Sequence, residues 1–363
     1  PDEFELTFFG LVFGESIVIH IPEIGWGIVD SCEFRLPGSR HVPPLEYLTI
    51  QRASRLAFVV LSHPHKDHFA GMERVIQSYL GRITRVCRYA GDSTRELAAY
   101  LNNHGIKGRP GAKRLATILD AFLEAKEHGA EPRRLGWRTQ IIPRQNVSVD
   151  GRSYEVEVLS LGPSAADEEA YGNILKGAWP KANGQLEEIP DEKHNLVASA
   201  LWFSVGKVVV ILGSDVEKGS TPTSGWRGIV NSVDKPDLCL KVLKVSHHGS
   251  PNAHCNRAWE EHCELGRIIS VIMPYDRGVN PRPSEGDTLR IEGYSDSIGI
   301  TSRVRYLRPL EVYDRAVARR LPEKWKVVDP PEECGMLTMR YDLEGNMTLQ
   351  KATPPASWKE AVR

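Results

Sequence analysis

Residues 62–68 constrain this chain more than any other part of its sequence. They read Ser-His-Pro-His-Lys-Asp-His, so three histidines and one aspartate fall within six residues. The segment follows residues 57–61, an apolar run typical of a strand that is covered on both faces. Imidazole and carboxylate groups are ligands for zinc, manganese and iron. The sequence therefore predicts a metal site at the end of a buried strand.

The spacing of these four side chains indicates that they do not all serve one ion. His63 and His65 are two residues apart and share one face of an extended segment. Asp67 and His68 begin a predicted helix over residues 67–80 and can point elsewhere. One short segment can therefore supply ligands to two adjacent ions.

The motif His-x-His-x-Asp-His after a buried strand resembles that of the metallo-β-lactamase superfamily. Residues 208–215 resemble the family's strand that ends on a metal-bridging aspartate, and residues 243–250 (Leu-Lys-Val-Ser-His-His-Gly-Ser) resemble its last histidine motif. The resemblance implies an α/β fold, a four-layer αββα sandwich. The metal ligands that it implies are His63, His65, Asp67, His68, Asp215, His247 and His248. The pattern does not decide which of the two adjacent histidines binds metal and which acts as a transition-state donor, so Asp67, His247 and His248 are the candidate catalytic residues.

One branch of that superfamily is similar in more detail, the ComEC-type hydrolase domain associated with bacterial DNA uptake. Residues 14–20 with 28–31 resemble its opening, and residues 268–271 with Pro283 and Ser284 resemble a later segment. Its stand-alone relatives are generally taken to be nucleases or phosphodiesterases, and some belong to bacterial antiviral gene clusters. The resemblance implies a nucleic-acid or nucleotide phosphodiester substrate.

The chain departs from the family pattern at two positions that bear on the site. Many members place a third histidine for the first metal near residue 160, where this chain has Leu-Gly-Pro-Ser at 161–164. Water or His194 could complete the ligand set of that ion. Arg282 stands where the branch usually has a histidine, and it could clamp a phosphate or lie at the surface.

The chemistry that the resemblance implies uses two divalent ions, zinc or manganese, bridged by Asp215 and a water. Two such ions lower the pKa of that water toward neutrality, from about 15.7 in bulk. Asp67 would orient the nucleophile. Lys66 and Lys244 flank the ligand motifs and could attract an anionic substrate, or they could be solvated.

The rest of the chain reads as one layered α/β hydrolase domain over residues 1–295, with an α/β extension at 296–363 packed on it. Within the domain we expect a helical insertion over about 92–140 and a lid over 162–193. Two strong strands at 196–203 and 207–212 flank a tight turn and predict a hairpin.

Composition narrows the choice of partners. The formal net charge over 363 residues is −1, so nucleic acid would have to be bound by a local basic patch. The candidate patch is Lys107, Arg109, Lys113, Arg114, Arg133, Arg134, Arg138 and Arg144. The same residues could equally form an ordinary solvated face. Six scattered cysteines, no apolar run of about 18 residues and no signal peptide predict a cytoplasmic protein without a membrane span.

The sequence is therefore compatible with three functions. The first is a nuclease or phosphodiesterase. The second is a hydrolase of small esters, lactones, thioesters or β-lactams, because this fold hosts many reactions. The third is a metal-binding sensor or partner subunit of a bacterial complex, with residues 162–193 and the C-terminal extension as docking surfaces for a protein partner.

Overall fold

The structure is a computed structural model, and it describes residues 2–11, 13–36, 38–89, 110–178, 191–260, 268–276, 281–304 and 334–360. Within these residues the strands form two eight-stranded sheets and one short ribbon. The first sheet has the order β17-β16-β1-β2-β3-β6-β7-β8, and the second has the order β18-β15-β14-β13-β12-β11-β10-β9.

The strands of the first sheet are β1 (Phe4–Gly10), β2 (Glu15–Ile21), β3 (Gly25–Val29), β6 (Leu56–Leu61), β7 (Ile83–Arg88), β8 (Glu131–Arg134), β16 (Gly335–Tyr341) and β17 (Met347–Thr353). Those of the second are β9 (Trp137–Val149), β10 (Arg152–Leu161), β11 (Leu201–Val205), β12 (Val208–Leu212), β13 (Val242–Lys244), β14 (Ile268–Ile272), β15 (Ser295–Ile300) and β18 (Ser357–Glu360). The ribbon pairs β4 (Phe34–Leu36) with β5 (Ser39–His41).

Helices lie between these strands. The α-helices are α1 (Pro43–Ile50), α2 (Lys66–Phe69), α3 (Met72–Ser78), α4 (Pro110–Glu127), α5 (Ala165–Ala178), α6 (Gly225–Asn231), α7 (Asn256–Glu260) and α8 (Glu285–Glu292). Three short 3₁₀ segments lie at Asp191–Val197, Ser246–Gly249 and Pro251–Ala253.

The inner faces of the two sheets pack on each other. Phe4, Leu6 and Phe8 alternate along β1, and all three belong to one core with Val158 and Phe203 of the second sheet. Strand alternation places every second residue on this face, because successive side chains of a strand point to opposite sides. The alternate positions are therefore left to pack against helices.

The outer faces of both sheets are covered by helices. Val59 of β6 packs with Val75 of α3 and Phe122 of α4, and Ile211 of β12 packs with Ile229 of α6. The order of layers is thus helix, sheet, sheet, helix. The predicted αββα sandwich is confirmed.

The topology brings the ends of several strands to one edge of the sandwich. Strand β6 runs parallel to β3 in the first sheet, and β12, β13 and β14 run parallel to one another in the second. The carboxyl ends of parallel strands lie at the same edge of a sheet. The loops after these strands contain residues 30, 62–68, 213–215 and 245–248, so chain segments distant in sequence meet there.

Several predicted elements need correction. The helix expected over 67–80 is two helices, α2 and α3, because Gly71 has a left-handed φ of 86° between them. The expected helical insertion over 92–140 contains helix α4, but its last part forms strands β8 and β9, and residues 90–109 lie outside the described residues. The hairpin is confirmed, with β11 and β12 paired antiparallel, although its first strand begins at Leu201 rather than 196.

The C-terminal residues are part of both sheets. Strand β16 pairs with β1 in the first sheet, and β18 pairs with β15 in the second. A division between residues 295 and 296 would fall inside β15. The expected lid at 162–193 contains helix α5, with residues 179–190 outside the described residues. Over the parts of the chain that the structure describes, no helix is long and apolar enough to cross a membrane.

Candidate metal centre

Four buried side chains surround one point at the carboxyl edge of the sheets. The Nε2 atom of His68 lies 3.4 Å from Asp215 Oδ1 and 3.7 Å from Asp67 Oδ2. The Nε2 atom of His248 lies 3.4 Å from Asp67 Oδ2 and 3.5 Å from Asp215 Oδ2. Two imidazole nitrogens and two carboxylates therefore face one another without a solvent layer between them.

Hydrogen bonds on the far side of both rings fix their orientation. The Nδ1 atom of His68 bonds to Asp30 Oδ2 at 2.8 Å, and that of His248 bonds to the carbonyl of Met273 at 2.8 Å. Both bonds leave Nε2 directed toward the cluster, as outer hydrogen bonds do for metal-binding histidines. Asp30 also accepts hydrogen bonds from the backbone N–H and hydroxyl of Ser62, at 2.8 and 2.6 Å.

A second group of donors shares Asp215 with the first. His63 Nε2 lies 2.9 Å from His65 Nδ1 and 3.8 Å from Asp215 Oδ2. The ligand atoms of His63, His65 and Asp215 lie within 4.8 Å of one another. The same holds for those of Glu15, His68, Asp215 and His248. The Asp215 carboxylate thus belongs to two donor groups at once. We call the group of His63, His65 and Asp215 the first site, and the group of Asp67, His68, Asp215 and His248 the second site.

Glu15 is a buried carboxylate that the sequence did not single out as a site residue. It lies on the Nδ1 side of the two rings of the second site, 3.5 Å from His68 and 3.6 Å from His248. Its Oε1 atom accepts a hydrogen bond of 2.5 Å from the Lys244 ammonium. Because Oε1 is held in this way, we assign Asp67 rather than Glu15 to the second site.

Lys244 does not face a substrate, contrary to the suggestion from its position beside the histidine motif. Its side chain is fully buried and bonds to Glu15 and, at 3.2 Å, to the carbonyl of Ser214. Strand β13 places this side chain inside the site, where its charge balances the carboxylates.

The two adjacent histidines have different environments. His248 is buried in the second site, whereas the side chain of His247 is 24% exposed. His247 Nε2 lies 4.0 Å from Asp215 Oδ2, and its Nδ1 lies 3.7 Å from Glu217. His248 is therefore the better placed of the two for a metal ion, and His247 lies at the partly exposed edge of the cluster.

Backbone strain is concentrated around these donors. Asp30, Ser214, His247 and His248 all have positive φ, at 56°, 45°, 48° and 55°. Non-glycine residues in this region cost roughly 1–3 kcal/mol each and persist where the surrounding structure over-determines them. Gly213 helps to hold this arrangement, because a Cβ there would lie 2.2 Å from the Ser246 hydroxyl.

The charges of the site compensate one another. Burial alone would raise the pKa of Asp67, but His68 and His248 lower it to about 2. Burial likewise opposes ionisation of Asp215. The nearby rings of His248 and His68 nevertheless hold the pKa of Asp215 well below its ordinary value. For His68 burial favours the neutral ring, but Glu15, Asp215 and further carboxylates raise its pKa well above normal.

The donor set fits divalent cations. His68 Nε2 and Asp215 Oδ1 are buried atoms without any hydrogen-bond partner, although both face the other donors of the second site. Buried polar atoms are costly unless they are satisfied, and a cation at this point would satisfy both. Nitrogen and oxygen donors without cysteine suit zinc, manganese or iron.

His194 lies beside the first site. Its ring centroid is 5.5 Å from that of His65, and its Nδ1 atom is 2.9 Å from the hydroxyl of Tyr171. Burial, with a smaller contribution from His65, lowers the pKa of His194 to about 4. The ring is therefore neutral at pH 7.

The two other predicted substrate residues differ in their surroundings. Lys66 is exposed next to the first site, with its ammonium 5.7 Å from the ring centre of Phe13. Arg282 forms an ion pair of 2.7 Å with Asp287, the buried carboxylate of the capping box that begins helix α8. The guanidinium of Arg282 is thus used at the start of a helix, and Lys66 is the better placed of the two for an anion.

A cavity of about 800 Å³ lies next to the candidate metal centre, and it is lined by chain neighbours of the candidate ligands rather than by the ligands themselves. Its lining includes Glu217, which lies next to His247, and Asn195, which follows His194 in the chain. Asn195 and Asn252 both donate to Glu217 Oε1 at 3.0 Å and so hold this rim in place. A cavity of this size suits a ligand as large as a nucleotide.

Comparison with known proteins finds solved structures of low similarity. No family model matches the chain, and no curated protein matches it. Among solved structures, the metallo-β-lactamase fold protein YhfI from Bacillus subtilis is similar, with 12% identity, a TM-score of 0.36 and coverage of 81% of this chain and 95% of that one. A diphosphatase from the PhnP family shows 12% identity, a TM-score of 0.32 and coverage of 73% and 85%.

A third similar structure is CmlA, a diiron β-hydroxylase from Streptomyces venezuelae, with 13% identity and a TM-score of 0.33. The match covers 68% of this chain and 34% of CmlA, so the chain spans about a third of that protein's length. At these identities and TM-scores the similarity carries no conclusion about the family or the reaction of this chain.

We expect Asp30→Asn to weaken metal binding at the second site by roughly 10–100-fold, because residues that orient ligand histidines have effects of this size. Competition between the protein and a chelator for Zn²⁺ measures the change. Asp150→Asn, an exposed position in the turn between β9 and β10, is the matched control. Equal affinity of Asp30→Asn and the control would show that the Asp30–His68 bond does not support binding.

Proposed function

We propose that the protein is a metal-dependent phosphodiesterase that cleaves nucleic acid. The observation that carries the proposal is the pair of largely buried donor groups that share Asp215. Two neighbouring ions suit in-line displacement at phosphorus, since they stabilise both the attacking and the leaving oxygens. The resemblance of the sequence to ComEC-type hydrolase domains supports the same substrate class.

The residues of the two sites would have distinct tasks. His63, His65 and Asp215 would hold one ion, and Asp67, His68, Asp215 and His248 the other. When bound, such ions supply Lewis acidity and a water nucleophile of lowered pKa.

His247 is placed to act on the substrate instead. Its side chain is 24% exposed, and its Nδ1 atom lies 3.7 Å from Glu217, a residue that lines the cavity. From there its ring can donate a hydrogen bond to a phosphate oxygen that gains negative charge in the transition state. A fixed donor of this kind contributes roughly 10²–10³-fold in rate.

Three exposed lysines stand next to site residues and would attract a phosphate backbone. Lys66 follows His65, Lys193 precedes His194, and Lys218 follows Glu217. Charge of this kind near a site raises the local concentration of an anionic substrate.

The described arginines of the arginine-rich stretch are engaged by groups of this chain. Four of its residues make ion pairs within the structure. The pairs are Arg114 with Glu33, Arg133 with Glu131, Arg134 with Glu168, and Arg144 with Glu157. Arg138 donates to the carbonyl of Asp234, while Lys107 and Arg109 lie outside the described residues and the Lys113 side chain is not described. The lysines around the site therefore replace this stretch in the proposal.

One observation favours a second candidate, the hydrolysis of a small ester or lactone. The wall of the cavity includes the apolar side chains of Trp137, Leu161, Val216 and Ile229. Such a wall suits an acyl chain or a small ring as well as it suits a nucleobase. The two candidates use the same metal centre and differ only in the atom that is attacked.

The deciding experiment measures hydrolysis by the Mn²⁺- or Zn²⁺-loaded chain. The substrates are labelled single- and double-stranded DNA and RNA, bis(p-nitrophenyl) phosphate, and a set of p-nitrophenyl esters and lactones. We expect metal-dependent cleavage of a polynucleotide and of the diester, lost on treatment with EDTA and in Asp67→Asn. Turnover of esters or lactones alone would establish the second candidate. Turnover of none of them by metal-loaded protein would contradict both.

A further inference from the structure

The two donor groups around Asp215 are unequal. The second site has four side chains, whereas the first has three, namely His63, His65 and Asp215. Zinc in proteins is most often bound by four ligands in a tetrahedral arrangement. The first site therefore has room for one more ligand, and the side chain or water that fills it determines how firmly its ion is held.

His194 is the additional imidazole beside this site. Its ring centroid lies 5.5 Å from that of His65, with the two planes at 85°. The rings of His68 and His248, whose Nε2 atoms face the same two carboxylates in the second site, have centroids 6.2 Å apart. The two rings are thus direct neighbours. The ligand atoms of His194 do not all lie within 4.8 Å of those of His63, His65 and Asp215, so ligation by His194 requires a shift of its ring toward the site.

The far nitrogen of His194 is already engaged, as in the ligands of the second site. Its Nδ1 atom lies 2.9 Å from the hydroxyl of Tyr171, a residue of helix α5 that is only 4% exposed. Asp30 and the Met273 carbonyl make the corresponding bonds to His68 and His248. A bond at Nδ1 fixes the tautomer and leaves Nε2 as the ligating atom when Nδ1–H is the donor.

The segment that carries His194 is anchored on its C-terminal side. Val197 at the end of its 3₁₀ turn is fully buried in the core between the first sheet and its helices. The carbonyl of Ala200 accepts a hydrogen bond of 2.7 Å from the N–H of Leu161. The chain that follows His194 is therefore fixed against the end of β10. The sequence there, Leu-Gly-Pro-Ser at 161–164, has no imidazole.

We propose that His194 is the fourth protein ligand of the first site and that Tyr171 is its positioning residue. The inference depends on the metal-binding part of the proposed function and is independent of the substrate. Because His194 belongs to the 3₁₀ turn Asp191–Val197, its ligation would also couple this turn to metal binding. Loss of the ion would remove one of the contacts that hold the 3₁₀ turn in place.

Metal titration tests this without any substrate. Co²⁺ and Zn²⁺ are titrated into the full chain, with visible absorption of Co²⁺ and bound metal per chain as the readouts. His194→Ala is prepared in the wild type and in a His68→Ala/His248→Ala background, which lacks both imidazole donors of the second site. In that background the ion that remains bound reports on the first site. We expect His194→Ala to lower its affinity at least about tenfold and to change the Co²⁺ spectrum.

Two further variants separate ligation from packing. Tyr171→Phe retains the ring but loses the hydroxyl, and it should weaken the first site by roughly 10–100-fold, the usual range for a residue that orients a ligand. His254→Ala removes a half-buried histidine that packs on Trp259 and Tyr294, and it should change nothing in the titration. His194→Gln serves if the alanine variant does not fold. Unchanged first-site affinity and Co²⁺ spectrum in a folded His194 variant would overturn the proposal, whatever the hydrolysis assays show.

Discussion

Asp215→Asn is expected to abolish metal-dependent hydrolysis and to reduce the bound metal from about two ions per chain to at most one. The carboxylate lies between both sites, with Oδ1 3.4 Å from His68 Nε2 and Oδ2 3.8 Å from His63 Nε2. An amide keeps the shape but loses the charge and one acceptor oxygen. We expect the rate to fall at least 10²–10³-fold, roughly the effect of losing one preorganised electrostatic group. Elemental analysis of dialysed protein measures the metal, and turnover of the best substrate measures the rate.

Asp150→Asn is the control for this variant, because it makes the same chemical change at an exposed turn. It should bind two ions and retain full activity. Two tightly bound ions in Asp215→Asn would show that the two donor groups do not depend on a shared carboxylate. Full activity in that variant would contradict the assignment of the reaction to this centre.

Lys244→Met should destabilise the metal-free protein by roughly 3–5 kcal/mol, the cost of leaving a buried charge without its partner. Glu15 is only 2% exposed, and the Lys244 ammonium 2.5 Å away is its nearest counter-ion, closer than the rings of His68 and His248 at 3.5 and 3.6 Å. The free energy of unfolding in urea measures the loss. The double variant Glu15→Gln with Lys244→Met removes both charges, and we expect it to recover most of the stability.

Lys207→Met provides the comparison at the surface. Lys207 pairs with Glu344 at the same 2.5 Å, but the side chain of Lys207 is 69% exposed. Exposed pairs contribute about 0–1 kcal/mol, so this variant should be close to wild type. A loss in Lys244→Met no larger than in Lys207→Met would mean that Glu15 tolerates its charge without the lysine.

The cluster of the candidate metal centre could be predicted from the sequence where its residues are close together in the chain. His63, His65, Asp67 and His68 come from one turn after a buried strand, and the residue types alone determine their chemistry. The choice between His247 and His248 needed the structure. Two consecutive left-handed residues turn the rings in directions that strand periodicity does not give.

Contacts between residues that are far apart in the chain could not be predicted from the sequence. Glu15 and Lys244 are separated by 229 positions, and neither has a neighbour in sequence that reveals the partner. The arginines of residues 133–144 are a second example. Their sequence left a basic patch and an ordinary solvated face equally open. The ion pair of Arg144 with Glu157 of the neighbouring strand is not visible in a single sequence.

The pairing of β1 with β16 has a consequence for synthesis of the protein. Thr7 and Thr338 share a hydrogen-bonding contact across 331 residues of sequence. During translation, β1 and β2 leave the ribosome long before the strand that completes their sheet. At roughly 5–20 residues per second, the outer edge of β1 is exposed for tens of seconds. An unpaired edge of this kind can pair with other chains, so expression at lower temperature or with a chaperone should favour the folded protein.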